Sequence, residues 1–184
     1  MSAITTGTWN LDPTHTEIGF AVRHIMSKVR GKFETFEGTL VTTDPVTDSK
    51  VTVEVDLSSI NTGTADRDNH LRSSDFFDVE THPKMTFATT GVVQKSDEAY
   101  VVQGELTIKG VTKPLELAVD FLGEGKDPWG GTRVGVEATG EISRKEFGID
   151  FNIPLEGDKV MIGDKITLTI NAEAVLQAED ALQA

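Results

Sequence analysis

Two-residue alternation runs through most of this chain. Val51, Val53, Val55 and Leu57 alternate with Thr52, Glu54 and Asp56, and Leu115, Leu117, Val119 and Phe121 with Glu116, Ala118 and Asp120. The same beat sets Val134, Val136 and Ala138 against Gly135, Glu137 and Thr139. It also sets Ile166, Leu168, Ile170, Ala172 and Ala174 against Thr167, Thr169, Asn171 and Glu173. Successive side chains of a strand point to opposite faces, so each run predicts a strand with one apolar and one wet face, as in antiparallel sheets. Further strands are expected over 15–22, 29–43, 84–93 and 100–109, about eight in all. Asp44-Pro45, Ser96-Asp97, Lys109-Gly110 and the 127–131 segment supply turn chemistry between them.

Two stretches lose the beat. Residues 23–28 are expected to hold a short helical turn, and 65–73 a single helix with Thr64 or Asp66 at its N-cap. No repeat, low-complexity tract or linker divides the chain, so residues 1–184 read as one domain, with 177–184 a fraying tail.

Meandering antiparallel strands close either as an up-and-down barrel or as a two-sheet sandwich. Gly19, Gly91, Gly104, Gly135 and Gly140 fall inside strand patterns, where glycine marks bulges and barrel corners. Long strands suit tilted staves. The expected fold is therefore all-β, an eight-stranded antiparallel barrel with one or two short helices. Such a barrel is just wide enough to fill itself or to hold one small ligand. Val, Leu and Ile line its inner face, and Phe20, Phe33, Phe36, Phe87, Phe121 and Phe151 are candidates to join them.

A formal charge of −13 opposes contact with nucleic acid, and the same overall field repels an anionic membrane. The basic residues are nevertheless clustered. Arg23, His24, Lys28, Arg30 and Lys32 fall together with no acid between Glu17 and Glu34, either a solvated loop and strand or an anion-receiving rim. Without cysteine there is no disulfide framework, thiolate ligand or cysteine nucleophile. No Lys or Arg precedes Arg23, and no stretch nears the roughly 18 apolar residues of a membrane span, so a cytoplasmic, non-spanning protein is expected.

The one dense ionisable island is 62–79, where Arg67, Asp68 and His70 open the expected helix and Leu71, Phe76 and Phe77 bury it. The first three form either a hydrogen-bonded knot across a barrel end, a head-group site, or an acid–base set. No spacing among His15, His24, His70 and His82 resembles a metal motif, and there is neither a phosphate loop nor a nucleophile elbow.

Several segments resemble the YceI-like family of polyisoprenoid-binding proteins: the opening Trp9-Asn10-Leu11-Asp12-Pro13-Thr14-His15 to His24, then Val29-Arg30-Gly31-Lys32-Phe33. The island with Arg67-Asp68-Asn69-His70-Leu71 and Asp75-Phe76-Phe77-Asp78-Val79 is similar to the family's central signature. Gly104 to Lys113 and Arg144 to Ile149 look like its later ones. The resemblance implies a lipocalin-like barrel holding a long isoprenoid or fatty chain, acting as carrier, store or sequestrant without an enzymatic role, cofactor or metal. It also makes a homodimer reasonable.

On this reading Arg23, His24, Arg67, Asp68 and His70 form the polar end of the ligand site, and Phe20, Phe36, Leu71, Phe76, Phe87 and Phe121 its apolar lining. Two rivals stand beside it. One is a lipid cyclase or isomerase using Arg67, Asp68 and His70; the other is a stress or interaction barrel filled by its own side chains.

Overall fold

The computed structural model describes residues 4–178, so the last six residues of the expected tail lie outside it. Eleven strands and one helix follow in chain order. They are β1 (Gly7–Leu11), β2 (Glu17–His24), β3 (Ser27–Phe33), β4 (Phe36–Thr42), β5 (Lys50–Asp56), β6 (Ile60–Asn61), α1 (Ala65–Arg72), β7 (Lys84–Gln94), β8 (Ala99–Ile108), β9 (Val111–Lys126), β10 (Thr132–Ser143) and β11 (Ile162–Leu176). Every pairing is antiparallel. The ladder runs β1-β4-β5-β7-β8-β9-β10-β11, and β1 returns to pair with β11, which closes a barrel of eight staves.

Three staves are broken rather than continuous. β2 prolongs β1 along the same edge of β11, β3 prolongs β4, and β6 prolongs β5. The expected strand over 29–43 is thus two, interrupted at Glu34-Thr35, where both backbone N–H groups donate to the Ser59 hydroxyl. The short helical turn expected over 23–28 is instead a two-residue hairpin turn, because His24 pairs directly with Ser27. Apolar Ile25 and Met26 occupy the turn, which hid it from a search for Gly, Asn or Asp.

Two glycines allow aromatic rings to lie against the wall. A Cβ at Gly104 would sit 2.3 Å from Cζ of Phe87, and one at Gly31 would sit 2.5 Å from Cζ of Phe20. Each ring therefore covers a bare stretch of neighbouring backbone rather than standing upright into the interior.

The helix closes one end of the barrel. Arg72 anchors it, donating from Nε to the Ser58 carbonyl at 2.8 Å and from Nη2 to the Ile60 carbonyl at 3.1 Å. Thr64 holds the N-cap position, but its side chain makes no cap bond. Leu71 and Phe77 pack against both nearby apolar clusters, one centred on Leu106, Ile108 and Phe147 and the other on Phe33, Val55, Leu57 and Ile60. The opposite pole is closed by fully buried Trp9, whose indole N–H donates to the Thr42 hydroxyl at 2.8 Å. Trp129 stands exposed at the β9–β10 turn.

Candidate functional site

Between the helix and Trp9 the barrel is hollow. A cavity of about 690 Å³ occupies its axis. Ile18, Phe20, Val22, Val53, Val102, Val119, Leu168 and Ile170 line it along the strands. Several inward residues, such as Val53, Val102 and Val119, are only half-buried although they face inward, because the space beside them holds no protein atoms. The side-chain-filled barrel is therefore not what this sequence builds. The volume lies within the roughly 300–1,000 Å³ typical of small-molecule sites.

Helical periodicity sorts the ionisable island. Arg67, His70 and Leu71 are spaced i, i+3, i+4 and share the face that lines the cavity, with Asp66 beside them. Asp68 belongs to the other face and is buried there. Its Oδ1 accepts from the Thr62 backbone N–H at 2.9 Å and from the Thr62 hydroxyl at 2.5 Å. Arg67 reaches the same threonine, donating from Nε to its hydroxyl at 2.7 Å and from Nη2 to its carbonyl at 2.8 Å. The knot thus centres on Thr62, a residue passed over in the sequence because a lone threonine before a helix carries no distinctive signal. Arg67 has no carboxylate partner among the described residues, so its cation stays available at the lumen end.

His70 is held from both sides. Its Nε2 lies 2.8 Å from Oδ2 of Asp75. Its ring meets Phe76 and Phe151 edge-on, with centroids 5.0 Å away in each case. The three candidates for an acid–base set are therefore not assembled: Asp68 serves Thr62, and it is Asp75 that pairs with His70.

The other expected lining residues divide in the same manner. Phe20, Leu71, Phe76, Phe87 and Phe121 face the cavity. Phe36, just past the break between β3 and β4, packs instead against the Val55 and Leu57 cluster and is not part of the lining. His24 lines the mouth, whereas Arg23, one position earlier on a strand of period two, points outside.

The mouth is framed by a segment that the sequence did not single out. Pro154 bridges Val160 and the Met161 N–H donates to the Ile153 carbonyl at 3.0 Å, making a small second hairpin. Arg144 fixes its base. Buried and without a carboxylate hydrogen bond, the guanidinium donates to the carbonyls of Ile149, Phe151, Ile162 and Gly163. That desolvation pulls its pKa below the ordinary arginine value, with Asp164 and Asp150 partly opposing the effect.

A second polar cluster lies at the far pole. Asp12, His15 and Glu173 bring three potential ligand atoms within 4.8 Å of one another. Arg133 already supplies the positive charge there, with Nη1 at 2.6 Å from Asp12 and 3.2 Å from Glu173. Hydrogen bonds from Thr14, Arg133 and His15 hold the Asp12 carboxyl well below its usual range. This is an ion network that ties β1 to β10 and β11.

A YceI-like domain matches residues 9–174. Protein YceI of Escherichia coli O157:H7 is 38% identical over 166 residues, covering 89% of this chain and 83% of that protein. Among solved structures, BcnA of Burkholderia cenocepacia superposes with a TM-score of 0.78 at 17% identity, covering 89% of this chain and 98% of BcnA. A polyisoprenoid binding domain from Saccharophagus degradans superposes with a TM-score of 0.68 at 14% identity, covering 94% of this chain and 99% of that one. At such low identities the two structures speak for the fold. Among the described residues, no helix is long and apolar enough to cross a membrane.

Proposed function

The chain belongs to the YceI-like family, and on that premise we propose that its lumen binds the tail of a long amphiphilic lipid, a polyisoprenoid before other chains, for carriage, storage or sequestration. The observation that carries this reading is the hollow apolar axis of about 690 Å³, with Arg67, His70 and His24 lining it at the helix end. The polyisoprenoid binding of the Saccharophagus degradans domain lends it support.

Energetics favour the tail as the main source of affinity. Each buried methylene contributes about 0.8 kcal/mol, so twenty carbons yield about 16 kcal/mol before the cost of ordering the chain. Micromolar binding requires only about 8 kcal/mol net. Arg67, His70, Thr62 and His24 then choose the head group and fix which way round the lipid lies.

Extraction of the purified protein should release about one lipid per chain, identified by mass spectrometry. Val102→Trp, which places a large ring into the lumen, should abolish uptake of a fluorescent prenyl probe while the barrel remains folded. An empty protein that also fails to take up the probe overturns the reading.

A further inference from the structure

The turn between β2 and β3 breaks two rules at once. Ile25 adopts φ +54°, a left-handed conformation that β-branched residues rarely hold and that hairpin turns of this kind normally give to glycine. Met26 beside it is 94% exposed. Ile25 stays half-exposed, so burial offsets little of these penalties. Local rules broken without a structural return point to a functional demand on the surface.

The neighbours of this turn share its character. The Ile25 N–H donates to the Met161 carbonyl at 2.8 Å, and Met161 in turn bonds Ile153, so the two hairpins lie side by side. Ile153 and Val160 are exposed like Ile25 and Met26. Ile153, Met161 and His24 also line the cavity. An apolar crest therefore continues without interruption into the mouth of the lumen.

Beneath the crest runs a stripe of cations. Val22 and Val29 face inward, which turns Arg23, Lys28, Arg30 and Lys32 together onto the outer face, all exposed. Arg23 stands directly opposite Lys28, a like-charge pairing that a sheet normally avoids. None of the four has an ion-pair partner among the described residues. Within residues 18–33 and 151–163, the five cations Arg23, Lys28, Arg30, Lys32 and Lys159 stand against two acids, Glu156 and Asp158.

We propose that these paired hairpins dock the barrel, mouth first, on an anionic lipid bilayer, with Ile25 and Met26 entering the acyl boundary and the four cations lying against the head groups. The net charge of −13 does not prevent this. The acidic network at the far pole, where Asp12, Asp127 and Glu173 gather on Arg133, is about eleven residues of β11 away, roughly 36 Å at strand rise. Salt screens fields over about 8–10 Å, so the nearby stripe governs contact. Exposed Trp129 sits at that acidic pole beside Asp127 and cannot play the same part on an anionic surface. Docking in this orientation would let a lipid tail pass between bilayer and lumen without crossing water.

Co-flotation with vesicles of phosphatidylcholine, with and without phosphatidylglycerol, tests the proposal. Binding should require the anionic lipid and weaken as salt rises, and K28Q/R30Q should lose about fivefold affinity per charge removed. I25G/M26N, which installs residues suited to the turn, should keep or raise Tm yet lose at least tenfold in vesicle binding. Uptake of the prenyl probe by the same variant should persist, since neither residue lines the lumen. Indifference to anionic lipid, unchanged vesicle binding by I25G/M26N, or a solution dimer that this variant dissolves would each overturn docking. Failure of probe uptake in the unaltered protein would strike the lumen reading alone.

Discussion

At the scale of single residues, Arg67 is the group whose chemistry is least explained by the fold. Two of its N–H donors are spent on Thr62, yet its charge is unmatched at the lumen end. Hydrogen bonds to charged groups contribute about 1.5–3 kcal/mol, so Arg67→Gln should weaken binding of a prenyl phosphate about tenfold or more. Binding of the corresponding prenol should change little, and titration calorimetry on the two lipids separates the cases. The roles within the island were partly legible in the sequence. Spacing alone places Arg67, His70 and Leu71 on one helical face and Asp68 on another, but only coordinates reveal that the inward face is the former. Thr62 was invisible for a different reason: its importance arises from two partners six and five positions ahead, and no residue type announces such a meeting.

Among the elements, the long staves were the easiest to foresee. Alternation is imposed by a wall that is greasy within and wet without, so it persists wherever the barrel is regular. It fails where a stave bends, which is why the break at Glu34-Thr35 was not anticipated and the Ile25-Met26 turn was read as helical. The wall itself depends on close approaches that tolerate no side chain. A Cβ at Gly104 would meet Phe87 at 2.3 Å and the Ala88 carbonyl oxygen at 2.7 Å, and the backbone atom cannot easily withdraw. Overpacking of this kind costs about 1–3 kcal/mol, so Gly104→Ala should lower Tm by roughly 2–12 °C. Differential scanning calorimetry measures this, and the displaced Phe87 ring should also reduce prenyl-probe affinity.

For the molecule as a whole, the two poles have opposite electrostatics and different sensitivities. The carboxyls of Asp12 and Asp127, beside Arg133, and that of Asp164, bonded to Ser143 and the Lys145 N–H, titrate below the ordinary value of 3.8 in the folded state. The unfolded chain therefore takes up protons first as pH falls. The stability these groups lend is complete above about pH 5 and drains away as pH descends through and below 4. Thermal melts by circular dichroism should show a flat Tm near neutrality and a steep acid limb, which Asp12→Asn should make shallower. The closing pair β1–β11 has a consequence for how the molecule can be handled. Trp9 lies opposite Leu176, and the Gln177 N–H donates to the Thr8 carbonyl at 2.8 Å, so β1 and the end of β11 lie side by side at the acidic pole. A fluorophore or surface tether attached at Gln177 would stand at the back of the barrel, leaving the mouth and its basic hairpin turned outward and unobstructed.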